Sequence, residues 1–536
     1  MTEDKKITKA AGIIGLATFM SRILGLVRDI VIANSFGAKM AADAFYVAYR
    51  IPNLLRELFA EGSMSAGFIP VFTEYLTKKS KSEAKTLANT IFTILFLALS
   101  VLTLLGILIT PLIVNLLAPG FLSDPEKYSL TIFLTKIMFP YLLFIGLAAL
   151  TMGILNSLRY FLTPALSPVV LNVVIILSVL FLSPKMEMPI VGVAIGVTIG
   201  GLFQLLIQIP SLIRRDMSLT PSFDFSSPGV RRIGKLLLPV SLSSSVNMVN
   251  IFIGNILASF LVTGSVTYLF YGMRFIHFPL GIFGVALATA ILPTLSAHAA
   301  IGEKEKLRDT FSFGLRFVFF ITIPSMIGLI VLRVPIVNLI LQRGEFDYTA
   351  TVGTAQAVLY YGLGLWAFAG VRIVLQAFYS IQDTKTPVKI GLLGVGINIL
   401  FSLLLMGPLK HGGLALANSI VAGLTLFSLA YMLRRRLGRI DGRRIIRSLW
   451  RVVFASTFMG IIGWFISQDK VWTFDGQIIY KIFILGGGIL LSLFIYSLLM
   501  YLLKSEEFLF LLGIIKEKFR SITNRSTTNR SKTQGR

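Results

Sequence analysis

The stretch KAAGIIGLATFMSRILGLVRDIVIAN, residues 9–34, is a near-continuous apolar run broken by three charges, Arg22, Arg28 and Asp29. An α-helix needs about 20 such residues, at about 1.5 Å each, to cross the hydrocarbon of a bilayer. Each buried charge costs about 3 kcal/mol on insertion scales, so charges kept inside a span face a partner, a cavity or a cargo. Residues 9–34 therefore read as a membrane-spanning helix that carries function.

Working outward, apolar runs bounded by charge, Pro or Gly recur near 41–75, 86–117, 129–156, 162–182 and 189–213, which completes a first set of six. The polar interruption RRDMSLTPSFDFSSPGVRR follows, and then runs near 234–262, 266–298, 309–332, 350–380, 387–406 and 412–433. Two more lie near 450–467 and 481–503, after a basic loop. The expected fold is an all-α polytopic membrane protein of about fourteen transmembrane helices. Its expected divisions are an N-lobe over 1–215, a C-lobe over 216–433, a basic loop with two further helices over 434–503, and a tail over 504–536. That tail opens with the amphipathic EEFLFLLGIIKEKFR, expected at the membrane interface, and ends in a polar stretch expected to be disordered.

Composition agrees. The 536 residues are 55% hydrophobic and 14% charged, and mean hydropathy is +0.81, where a soluble domain carries about a quarter charged residues. The formal charge of +25 could point to nucleic acid, but position excludes that reading. Of the 50 Lys and Arg, 34 fall in segments on one side of the membrane, 8 on the other and 8 within spans. That asymmetry is the positive-inside rule, so both termini and the eight arginines of Arg434–Arg451 are placed in the cytoplasm, against anionic lipid. The first span leads straight from MTEDKKITKA without a cleavage site and serves as its own targeting signal.

The two sets of six look like a repeat. Pro70 and Pro293 are 223 apart, as are Thr163-Pro164 and Thr386-Pro387, and AFYVAYRI from Ala44 matches LFYGMRFI from Leu269 at an offset of 225. Both sets start on the same side, so the repeat is parallel, and substrate is expected between the halves.

No cysteine and three scattered histidines leave no residues for a disulfide framework or a catalytic metal, so no enzyme is expected. GVRRIGKL at 229–236 has Leu where a P-loop needs Ser or Thr, and no strand precedes it. GVAIGVTIG at 192–200 is a doubled GxxxG, a helix-packing signal. The informative residues are the ionisable ones within spans. At 100° per residue Arg22 and Asp29 share a face, with Arg28 about a third of a turn away. Arg50, Arg56, Glu57 and Glu61 cluster in the second span beside a break expected at Pro52, and Arg274 and His277 face one way in the eighth. Internal salt bridges to Asp29, Asp43, Glu57 or Glu61 are the plain alternative. Basic residues outnumber acidic ones, and surplus positive charge in a cavity wants an anion.

SRILGLVRD, FGAKMAADAFYVAYRIPNLLRELFAEGSMSAGFIPVF and GIFGVALATAILPTLS resemble the MurJ/MviN family of bacterial lipid II flippases over nearly the whole chain. The resemblance implies two six-helix lobes around a cavity, two helices forming a lipid-tail groove, and lipid II carried to the outer leaflet for peptidoglycan synthesis and cell shape. It implies that Arg22, Arg28, Arg56 and Arg274 bind the diphosphate and that Asp43 and Glu61 match acidic positions of its motif; Asp29 and His277 join them as supporting charges. His277 departs from relatives with a carboxylate there, and Gly254 stands where an acidic sodium ligand is sought. Sodium coupling is thereby put in question, with Asp383 the remaining oxygen ligand. No cofactor is implied. Sodium or the membrane potential is the candidate energy source, anionic lipids and the cell-wall synthesis machinery are candidate partners, and a monomer in the inner membrane is expected. An exporter of another polyprenyl-linked sugar would need the same arginines, whereas a drug exporter would want intramembrane carboxylates.

The 34-to-8 asymmetry generates a topology test. Alkaline-phosphatase fusions at the C-terminus and within Arg434–Arg451 are expected to be inactive, and activity at either point would require the lobes to be redrawn.

Overall fold

The structure, a computed structural model, describes residues 3–56, 67–514, 516 and 517, without the side chains of 3–11, 55 and 237–247. Among the described residues the regular structure is helical, and the one β-type contact is an isolated bridge between Arg343 and Phe346. One compact unit comprises Met1–Phe270 with Leu341–Gly353, and the other Tyr271–Ile340 with Thr354–Arg536.

The first unit holds α1 (Glu3–Phe36), α2 (Met40–Arg56), α3 (Ile69–Lys78), α4 (Lys81–Leu108), α5 (Thr110–Leu117), α6 (Pro125–Met138), α7 (Pro140–Ser157), α8 (Leu162–Leu177), α9 (Pro189–Leu206), α10 (Ile209–Ile213), α11 (Pro228–Ser259) and the start of α12 (Ser265–Pro279). The chain continues, in the second unit except for Leu341–Gly353, with α13 (Val285–Ala300), α14 (Lys304–Val331), α15 (Arg333–Leu341), α16 (Tyr348–Gly362), α17 (Leu365–Ser380), α18 (Lys385–Leu409), α19 (His411–Leu437), α20 (Gly442–Ser467) and α21 (Ile478–Leu502). Local chemistry sets many of these starts. The Ser80 hydroxyl accepts from the Glu83 amide and donates to the Glu83 carboxylate at the start of α4, and Asp124 caps α6 ahead of Pro125.

Ten helices among the described residues are long and apolar enough to cross a membrane, or eleven when α16 and α17, bent by 42°, count as one. The other expected spans fall on α1 and α2, which carry the intramembrane charges, and on α11, so about fourteen remains consistent with the structure. The repeat is visible in the helix boundaries. Lys81 and Lys304, Thr110 and Arg333, Pro125 and Tyr348, and Leu162 and Lys385 each begin helices 223 residues apart.

Two expectations change. The helix does not break at Pro52, because α2 runs through it to Arg56. The basic loop is mostly helix: α19 continues to Leu437 and α20 starts at Gly442. Arginine is a good helix former, and Arg434, Arg435 and Arg436 in the last turn of α19 complement its dipole. The turn is made by Gly438, at φ +83°. The expected lobe division at 215/216 is a separate matter from the compact units, which part inside α12. Ser259 accepts from the Gly120 amide, and Asp43 accepts from Gly264, which ties α11 and the start of α12 to the first unit. The polar tail that was expected to be disordered lies outside the described residues.

The doubled GxxxG is a packing seam. A Cβ on Gly192 would meet the Ser183 backbone at 2.7 Å, one on Gly196 the Ser178 Cβ at 2.5 Å, and one on Gly200 the Leu171 Cδ1 at 2.6 Å. At the other end of the chain, Arg316 of α14 is 4% exposed and is gripped by Glu506 and Glu507, which follow α21. Arg444 also forks onto Glu506, and Ser448 donates to Glu507. The amphipathic segment after α21 is therefore helical over 506–514 and fastened to α14 and α20. Arg444, ahead of the opposing effect of burial, holds the Glu506 carboxyl below its usual range.

The glycine seam predicts that Gly196→Leu destabilises the protein in detergent by about 1–3 kcal/mol, read as a lowered unfolding temperature. Gly396→Leu, where nothing stands within 4 Å of a would-be Cβ, is expected to leave it unchanged.

Candidate functional site

Arg28 is buried at 7% exposure beside Asp29 at 5%. Its Nε and Nη2 donate to Asp29 Oδ1 at 3.0 and 2.6 Å, and its Nη1 donates to Asn172 Oδ1 at 3.1 Å. Asn172 of α8 in turn donates to the Ser21 carbonyl at 3.1 Å, opposite Gly25, which leaves room for its amide. Helical spacing paired Asp29 with Arg22, whereas the structure pairs it with its immediate neighbour. Long side chains can curl toward an adjacent residue when both sit against a second helix, here α8. Arg22 is exposed on α1. Phe45, Tyr46 and Tyr49 of α2 line a small cavity next to the Arg28–Asp29 pair.

Asp43 is 1% exposed and fully engaged. Lys127 donates to it at 2.9 Å, the Gly264 and Thr267 amides at 2.7 and 3.0 Å, and the Thr267 hydroxyl at 2.7 Å. The carboxylate thus caps the N-terminus of α12, where the helix dipole favours negative charge, while Lys127 neutralises it. Tyr46 stacks on Phe270 of the same helix with centroids 4.0 Å apart. Two turns further along α12, Arg274 and His277 are both exposed. Asp43 therefore positions the helix that presents them.

Arg56 is half-buried at the end of α2 and donates to Asn53 at 2.9 Å. Glu57 and Glu61 lie outside the described residues. Gly254 sits in α11 with open space around a would-be Cβ. Asp383 accepts from the Thr386 amide and hydroxyl at 3.1 and 2.7 Å, and Arg436 stands 3.3 Å away. Burial alone would raise its pKa, but these contacts bring it below the ordinary value. Both oxygens thus serve as acceptors at the start of α18.

Sequence reasoning missed Asn172 and Lys127. The first was legible as a lone amide in an apolar run, the second only as a loop lysine, since nothing local shows that it is 4% exposed.

An all-helical membrane protein with a repeated set of spans and guanidinium groups set into them is a transporter. Its fold is shared with a multidrug-resistance MATE family transporter of the MOP superfamily solved in an inward-facing conformation, at a TM-score of 0.64 and 15% identity, covering 79% of this chain and 96% of that one. The chain belongs to the lipid II flippase MurJ family, whose model matches residues 32–484. It is 39% identical over 433 residues to a probable lipid II flippase MurJ of Vibrio cholerae, covering 80% of this chain and 82% of the relative. It is 36% identical to the lipid II flippase MurJ of Burkholderia cenocepacia, covering 78% and 82%. A solved lipid II flippase MurJ in an inward closed conformation superposes at a TM-score of 0.74 with 27% identity, covering 91% of this chain and 98% of that one.

The Asp43 cluster predicts a structural phenotype. Asp43→Ala strands a buried lysine and uncaps α12, so the variant is expected to lose about 3 kcal/mol or more and to fall in membrane abundance. Adding Lys127→Met should restore abundance on immunoblots of isolated membranes.

Proposed function

We propose that the chain moves lipid II, the undecaprenyl-diphosphate-linked peptidoglycan precursor, from the cytoplasmic to the outer leaflet of the bacterial inner membrane by alternating access. The observation that carries this reading is the exposure of Arg22 and Arg274 within predominantly apolar spans. A guanidinium keeps its charge in any protein environment and forks two hydrogen bonds to phosphate oxygens. Set into a span, it calls for an anion that passes through, and a lipid diphosphate supplies one. Arg28 plays a related part with a fixed side chain: Asp29 and Asn172 hold its plane, so it has little rotamer entropy to lose on meeting the cargo. Arg56 completes the set, with Asp29, Asp43, Glu61 and His277 as the supporting ionisable residues around it.

The same reading places both termini in the cytoplasm and takes anionic lipids and the cell-wall synthesis machinery as partners of a monomer. It calls for no cofactor and draws on sodium or the membrane potential. The hydrogen bonds that fill Asp383 weigh toward the potential. The surplus of arginine weighs against a drug or cation exporter.

Complementation of cells depleted of their own flippase tests the reading, with membrane abundance checked for each variant. Arg22→Ala and Arg274→Ala are expected to abolish growth, and the Lys variants to restore it only partly, because an ammonium lacks the bidentate fork. Arg28→Ala is expected to fail even when combined with Asp29→Ala. Wild-type growth of the alanine variants, or rescue of the Arg28 variant by removing its acid, would return these arginines to the scaffold.

A further inference from the structure

The segment between α10 and α11 is built like a strip with two faces. From Met217 to Ser227 it is non-helical; Met217 and Leu219 pack into the apolar core beside α4, and beyond them Thr220, Ser222 and Asp224 turn toward that helix. Asn89 donates to the Thr220 hydroxyl at 2.8 Å and accepts from the Thr220 amide at 3.3 Å. The Ser222 amide donates to the Thr93 hydroxyl at 2.9 Å, and the hydroxyls of Thr90 and Ser222 are 3.0 Å apart. Asp224 borders a polar pocket with Lys79 and Thr86. The odd-numbered Phe223 and Phe225 turn the other way. They are 68% and 48% exposed and pack edge to face, centroids 5.9 Å apart. The Phe225 amide donates to the Phe223 carbonyl at 2.9 Å, a tight turn that sets the two rings side by side.

The level of this strip along α4 is set by its hydrogen bonds. No ionisable residue occurs from Ile91 to Leu117, whereas Lys81, Glu83 and Lys85 precede that run. Thr90 and Thr93 therefore mark the polar edge of a span, the depth at which headgroups meet acyl chains. Aromatic rings collect at that depth. Arg214 and Arg215 on one side of the strip and Arg231 and Arg232 on the other add the cations that anionic headgroups attract. We propose that Phe223 and Phe225 are seated in the phospholipid interface, so that the segment joining the two sets of six spans is a membrane-moored strap rather than a free cytoplasmic loop. The inference is independent of which cargo the protein carries.

The chain has no cysteine, so single nitroxide labels can be placed cleanly. Phe223→Cys, Asp224→Cys and Phe225→Cys variants of the full chain, labelled and reconstituted in phosphatidylethanolamine–phosphatidylglycerol vesicles, report collisions with oxygen and with a water-soluble nickel chelate. Oxygen should dominate severalfold at 223 and 225, and the nickel chelate at 224. Dominance of nickel at all three positions, as for a loop that awaits a protein partner, would overturn the proposal, and so would shielding of 223 and 225 from both reagents. A second measurement leaves the aromatic character intact. Phe223→Trp should add fluorescence that shallow brominated lipids quench beyond the level of the wild type with its four native tryptophans, and unchanged quenching would also reject the interface.

Discussion

Hydrocarbon offers no hydrogen bonds, and this one constraint orders the rest of the structure. The backbone answers it by closing its hydrogen bonds within helices. The charged side chains answer it by pairing: Asp43 with Lys127, Arg28 with Asp29, and Arg316 with Glu506 and Glu507. Each pair also joins pieces of chain. Asp43 fixes where α12 begins, Arg28 brings α8 against α1 through Asn172, and Arg316 holds the segment after α21. Polar chemistry in this protein is largely a means of specifying which helices meet.

The arginines of the first span show two ways of keeping a charge in a membrane. Arg28 is enclosed and its direction is set by three hydrogen bonds. Arg22, six residues earlier, is exposed on the same helix. A fixed cation shapes the local field at all times, while an exposed one keeps its rotamer freedom.

The fold was largely legible in the sequence because its signals are local. An apolar run shows its own length, Gly and Pro mark its ends, and the 223-residue offset of Thr163-Pro164 and Thr386-Pro387 anticipates the shared starts of α8 and α18. The exceptions were also local: Pro52 was accommodated within α2, and the arginines of 434–436 extended a helix instead of a loop. The charged residues were legible as a set, but their partners were not. Asp43 meets a lysine 84 residues away, Arg28 an asparagine 144 away and Arg316 a glutamate 191 away. Helical spacing speaks only for residues a few positions apart, so it offered Asp29 to Arg22.

The Asp43–Lys127 pair has a consequence for the conditions under which the protein works. Dissolved ions weaken a pair only where they can gather around it, within a Debye length of about 8 Å in physiological saline. Lys39 and Glu345, with side chains 65% and 52% exposed, are open to that screening. Lys127 and Asp43, at 4% and 1%, are sealed from it. The cap at the start of α12 thus holds alike in dilute and saline media, while the exposed pair loosens as ionic strength rises.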